Sequence, residues 1–350
     1  MKFKCIIFLL FFLLIFSSSK TFSYFLNYTN LSTIEVCQAN NTSSNLINNN
    51  KYISDYYQNT NTTLIIDITV LIIINLFLIF IVILFLIPKL KLKKLKNNVR
   101  LNLLNNSYFL YYQPIYNPRN NTIVAFEGLL RLKDKNNNII PPCEFMPELE
   151  KNNMLFDISL WVLNKAVEDY KRLKTYTCID DNDFYISINV SLSEIENKKF
   201  LQKAIKILSD SNLGPNKICL EIIERVRSHD LDKINTHITA LRNVGFKIAI
   251  DDFGVEYSNL DILKKVDFDI LKVDKCFVDD ICTDNVQREI LMFINNLAYI
   301  SNKTLIIEGI ENIYQHNLIN NINNTSLYTQ GYFYSRPMNI AEIEALWESR

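Results

Sequence analysis

The chain of 350 residues lacks a net charge: 37 Lys and Arg stand against 37 Asp and Glu. No long-range field therefore argues for a nucleic acid polymer or an acidic partner, and partners must be sought locally. It also lacks any CxxC pair, and none of its seven cysteines stands at a zinc-binding spacing from histidine, which argues against a thiolate metal site. Only Cys37 falls in the segment assigned below to the outside of a membrane. That leaves no partner there for an intramolecular disulfide, so a free thiol and an intermolecular bridge are the alternatives. Glycine is scarce, at six residues, while Asn and Lys abound; this reads as compositional drift, and the Asn runs are taken as surface.

What the chain does have begins with apolar runs. Ile68 to Ile87 reads ITVLIIINLFLIFIVILFLI, about twenty residues interrupted only by Thr69 and Asn75, the length needed to cross a bilayer. KLKLKKLKNNVR follows Pro88, and the positive-inside rule puts that basic cluster, with everything after it, in the cytoplasm. The earlier run, Cys5 to Phe16, is shorter and reads as an uncleaved first helix or as a signal-peptide core. The expected organisation is a first transmembrane helix or signal anchor over 1–20, a short extracytoplasmic segment over 21–63 and a transmembrane helix over 64–88. A basic juxtamembrane linker over 89–107 then leads into one large domain over 108–350.

In that domain, short β-branched runs alternate with stretches of helical period, the pattern of an α/β protein. Eight strand candidates can be counted: FLYYQ near Phe109, TIVAFEGLL near Thr122, FYISINV near Phe184, KICLEII near Lys217, FKIAID near Phe246, FDILKV near Phe268, TLIIE near Thr304 and SLYTQ near Ser326. Eight strands with amphipathic crossovers fit a TIM-like (β/α)8 barrel. The gap between Ile115 and Ile123 is too short for a helical crossover, so the first two strands are expected to form an antiparallel hairpin around Asn-Pro-Arg-Asn-Asn. The predicted fold is a barrel with one strand reversed.

Polar residues fall at or just past the strand ends: Asn189, Glu221, Asp251 with Asp252, Lys272, Glu308 and Gln330, with Glu127 inside the second strand. In a barrel those ends converge on the face that carries chemistry. Carboxylates focused on one spot repel one another unless hard cations neutralise them, and an all-oxygen set suits Mg²⁺, Mn²⁺ or Ca²⁺. Adjacent aspartates can share one metal and reach a second, which suggests phosphodiester hydrolysis.

At these residues the sequence resembles the EAL-domain family of cyclic di-GMP phosphodiesterases, over residues 108 to 347. The matching strings, in order, are YYQPIY with Gln113, EGLLRL with Glu127 and Arg131, PPCEFMPELE with Glu150, SINVS with Asn189 and LEIIE with Glu221 and Glu224. IDDFGVEYSNL with Asp251 and Asp252, DILKVDKCFV with Lys272 and Asp274, IIEGIE with Glu308 and Glu311, and TQGYFYSRPM with Gln330 complete the set.

The resemblance implies a two-metal site for Mg²⁺ or Mn²⁺, with Glu127, Asn189, Glu221 and Asp251 on one ion and Asp251 with Asp252 on the other. Lys272 and Glu308 would be catalytic, beside the attacking water. Gln113, Arg131, Asp274 and Gln330 would bind cyclic di-GMP, Glu224 would anchor the loop after the aspartates, and the product would be linear pGpG. A homodimer through this domain and a bacterial inner-membrane location are implied too. Departures concentrate in DDFGVEYSNL, where the family usually reads DDFGTGYSSL, so that Val255, Glu256 and Asn259 differ; loss of the Gly matters if that position needs a positive φ. The competing reading is a catalytically weak domain acting as a cyclic di-GMP receptor or protein regulator, and a hydrolase of another phosphodiester is a third. No GGDEF-like cyclase motif is present.

Overall fold

The computed structural model describes residues 46–105, 107–152, 154–176, 184–223, 230–254 and 260–348. The expected first span, Glu224, and the loop positions Val255, Glu256 and Asn259 lie outside the described residues. The chain divides into two units, one ending at Lys94 and one beginning at Leu95.

The N-terminal path is helical from Leu46, through α1 (Leu46–Ile81), a π-turn (Val82–Leu86) and the start of α2 (Ile87–Leu104). The wide turn sits directly ahead of Pro88, whose ring has no N–H to give to the carbonyl four residues back. Apolar side chains from Leu64 to Ile87 are exposed around the whole circumference, with no polar face. Thr62–Leu104 is a helix long and apolar enough to cross a membrane. Residues 46–63, part of the expected extracytoplasmic segment, are helical, and the basic linker is helical as far as Leu104.

The second unit is a closed barrel. β1 (Tyr108–Asn117) and β2 (Thr122–Lys133) form the expected antiparallel hairpin, with Asn121 in the left-handed region at φ 56° to complete the turn. β3 (Ile139–Ile140) hangs on the edge of β2, an extra strand too short to leave a periodic signal. β4 (Tyr185–Val190), β5 (Ile218–Ile223), β6 (Lys247–Phe253), β7 (Ile270–Val273), β8 (Thr304–Ile307) and β9 (Leu327–Thr329) follow in parallel, and β1 closes the ring against β9. All eight expected strands are present, with the first reversed.

Helices surround them. α3 (Pro142–Lys151), α4 (Leu155–Tyr176), α5 (Leu192–Ile195), α6 (Lys198–Asp210), α7 (Leu231–Asn243) and α8 (Leu260–Lys265) come before β7. α9 (Asn285–Ile300), α10 (Ile313–Asn320) and α11 (Ile340–Glu348) complete the chain.

The barrel interior is filled from below by Ile115, Ala125, Tyr185, Cys219, Ala249, Ile270 and Ile306. Side chains two apart on a strand share a face. The layer above this apolar plug is therefore Gln113, Glu127, Ser187, Glu221, Asp251, Lys272 and Glu308. One apolar layer thus sets the height and direction of the polar one.

Candidate active site

Two adjacent aspartates on a regular strand would point to opposite faces. In β6 the pairing with β7 breaks between Ile250 and Phe253, and Asp252 takes φ 51°, a left-handed conformation uncommon outside glycine. This irregularity leaves Asp251 inward and buried while Asp252 stays half-buried beside it. Glu308 follows the last residue of β8, held by its N–H to Val273 O at 3.0 Å. Gln330, just past β9, is held by its N–H to Ile307 O at 2.9 Å.

Lys272 is 1% exposed and stands among the acids. Its Nζ lies 2.6 Å from Glu308 Oε1, 2.9 Å from both Glu221 Oε2 and Asp251 Oδ1, and 3.7 Å from Glu127 Oε2. Burial opposes its charge, but Asp251, Glu127, Glu221 and Glu308 hold its pKa well above the ordinary lysine value. The acids answer in kind. Burial pushes Glu221 well up despite Lys272, Glu308 rises to about 8 for the same reason, and Asp252 rises to about 6 through burial and the charges of Asp251 and Asp274. One ammonium does not balance four carboxylates, so the mouth calls for more positive charge, as bound protons or as a cation.

The donor set fits a hard divalent cation: carboxylate and amide oxygens, with no sulfur or imidazole. Asn189 Oδ1 is buried without a partner, while its Nδ2 donates to Glu127 Oε1 at 3.1 Å. Asp251 Oδ1 and Glu308 Oε1 touch the Lys272 ammonium without accepting a well-directed hydrogen bond. As placed, the carboxylates gather on Lys272; among the described residues no three His, Cys, Asp or Glu side chains share a common cation position.

The remaining expected residues divide. Arg131 is half-buried on β2, with its guanidinium 5.7 Å from the Tyr111 ring centre, and burial lowers its pKa. It lines a cavity of about 540 Å³ together with Asn189, Cys143, Met146 and Glu150. Asp274 caps a 3₁₀ turn (Lys275–Phe277) by accepting from Cys276 N–H at 2.9 Å, a local structural use. Gln113 and Gln330 are buried and bond to the protein, with Gln330 Nε2 only 2.7 Å from Glu127 Oε2. The cavity's far wall is α5, which the site reading missed. Its signal was in the sequence: Ser191 and Glu194 form a reciprocal capping box immediately after Asn189.

An α/β barrel with its first strand reversed and its acids turned inward at the strand ends has its polar groups at the C-terminal mouth, the face on which barrel enzymes carry their chemistry. Residues 96–337 match the EAL domain family, and the chain belongs to that family. It is 27% identical over 252 residues to the bifunctional diguanylate cyclase/cyclic di-GMP phosphodiesterase MucR of Pseudomonas aeruginosa, covering 72% of this chain and 36% of that protein. It is 29% identical over 248 residues to the probable cyclic di-GMP phosphodiesterase PdeA of Escherichia coli, covering 71% and 33%. The chain thus spans about a third of the length of the curated relatives it matches. Among solved structures, the EAL enzyme Bd1971 with cAMP and cyclic di-GMP bound is similar at a TM-score of 0.67 and 28% identity, covering 74% of this chain and 70% of that one. The MucR phosphodiesterase in complex with cyclic di-GMP is similar at 0.63 and 27%, covering 71% and 99%.

Proposed function

We propose that this chain hydrolyses cyclic di-GMP to linear 5′-pGpG with Mg²⁺ or Mn²⁺, lowering the level of that messenger. The observation that carries the reading is the ring of Glu127, Glu221, Asp251 and Glu308 around buried Lys272 at the barrel mouth. Glu127, Asn189, Glu221, Asp251 and Asp252 would hold the ions, which when bound supply the charge that acidifies water and stabilises the in-line transition state. Arg131, at the cavity edge, would grip a phosphate oxygen by charge-assisted hydrogen bonds. Glu308 would take the proton of the attacking water, and Lys272 would offset charge growing on the phosphoryl oxygens. Attack at one phosphorus breaks its bond to a ribose 3′ oxygen, which leaves with a proton and opens the ring.

The second reading, a receptor for the nucleotide that does not turn it over, is favoured by the way Lys272 itself occupies the centre of the acids. The departures at Val255, Glu256 and Asn259 point the same way. One assay separates the two. The full chain in detergent, given Mg²⁺ or Mn²⁺, should release pGpG from cyclic di-GMP; binding without release sinks hydrolysis and leaves the receptor.

We place the barrel on the cytoplasmic side of a bacterial inner membrane, from the apolar helix and the Lys-rich stretch after Pro88. The homodimer reading is supported by α9, where Val286, Ile290, Phe293 and Ile300 are exposed along one stripe. A two-fold contact would set this same stripe against its copy on a second chain.

A further inference from the structure

Gln113 and Gln330 are both buried at the barrel mouth. They are 9% and 3% exposed. A carboxylate only accepts, so Gln330 Nε2, 2.7 Å from Glu127 Oε2, is a donor, and that fixes which way its amide is turned. The same nitrogen lies 3.3 Å from Gln113 Oε1, and Gln113 Nε2 donates in turn to Ser335 O at 3.2 Å. Hydrogen bonds thus link the Ser335 carbonyl through Gln113 and Gln330 to Glu127.

Asn189 Nδ2 donates to the other Glu127 oxygen at 3.1 Å, so amides orient both oxygens of that carboxylate. The backbone holds the relay at both ends. Gln113 stands directly opposite Glu127 in the β1–β2 register, and Gln330 is pinned by hydrogen bonds to Ile307 and Ile310. Gln330 Oε1, which has no hydrogen-bond partner, is closed to solvent.

We propose that Gln113 and Gln330 are positioning residues, an amide relay that orients Glu127 for cation binding, and not nucleotide contacts. The proposal rests on the reading of Glu127 as a metal ligand. Partners that orient ligating groups set metal affinity by roughly 10- to 100-fold.

The test is a Mn²⁺ titration of the full chain in detergent without nucleotide, read by the electron paramagnetic resonance of free Mn²⁺, with circular dichroism to confirm folding. Gln330→Met keeps the volume and removes the donor, and should weaken Mn²⁺ binding about 10-fold or more. Gln113→Met should weaken it less. Added to Gln330→Met it should change nothing further, because the relay is already cut. Unchanged Mn²⁺ affinity in both variants, or effects that simply add, overturns the relay. If Gln330→Met does not fold, Gln113→Met alone decides: a fall in Mn²⁺ affinity supports the relay and no change removes it. A wild-type chain that binds no Mn²⁺ removes the metal reading together with the relay, whereas wild-type binding with indifferent variants removes the relay alone.

Discussion

An enclosed ammonium persists only where its charge is answered, and Lys272 has Glu221, Asp251 and Glu308 within 2.9 Å. Lys272→Met would leave those carboxylates facing one another. Breaking a buried ion pair from one side costs roughly 3–5 kcal/mol, so chemical denaturation without divalent cations should show a loss of that order, partly restored by Mn²⁺. The same crowding gives a pH dependence. Glu308 is raised from the ordinary 4.5 to about 8, so the folded chain holds that proton more tightly than the unfolded chain does. Its contribution to stability is complete below about 4.5 and is lost as pH rises through about 8. Thermal unfolding of the cation-free chain should therefore come at lower temperature at pH 8.5 than at pH 6, and Mn²⁺ should stabilise more at the higher pH. A flat profile would mean that the mouth is already neutralised.

At the scale of elements, the eight strands were legible because each is a short apolar or aromatic run set between stretches of helical period, and the reversed first strand because its turn is too short for a helix. Asn189, Glu221, Asp251 and Asp252 stood out by their positions at strand ends, whereas Glu127, inside the second strand, was picked out by the EGLLRL string. The partners of the glutamines were not, because a glutamine in a strand-end motif looks the same whether it faces ligand or carboxylate; only the distances separate the two. Nor does any sequence pattern announce the break in pairing that keeps Asp252 beside Asp251. Gly331 has a reason of its own: a Cβ there would fall 2.1 Å from Ile310 O and 2.4 Å from Ile310 N. Gly331→Ala should destabilise the barrel by roughly 1–3 kcal/mol or more, and in a denaturant titration it should also weaken Mn²⁺-dependent stabilisation by displacing neighbouring Gln330. On α9, Phe293 is 61% exposed at the centre of the apolar stripe. Phe293→Glu should convert dimers to monomers in light scattering of detergent-solubilised protein, with melting temperature little changed; an unaffected dimer would place the contact elsewhere.

At the scale of the whole molecule, the helix within Thr62–Leu104 and the basic run after Pro88 make a topological statement that can be checked. Protease added to intact spheroplasts should leave the barrel uncut, and inverted membrane vesicles should expose it. Cleavage of the barrel from outside would reverse the assignment. The reversal of β1 has a consequence for how such a chain is operated. A barrel whose first strand ran with the others would receive its incoming chain at the floor, far from the chemistry. Here Tyr108 arrives at the rim, Ser107 O accepts from Lys133 N–H at 2.9 Å, and the Tyr108 ring lies 6.0 Å from Phe145 on α3, a wall of the cavity beside Arg131. The barrel's own chain thus begins at the doorway rather than at the floor, its first ring set against both Phe145 and Trp161.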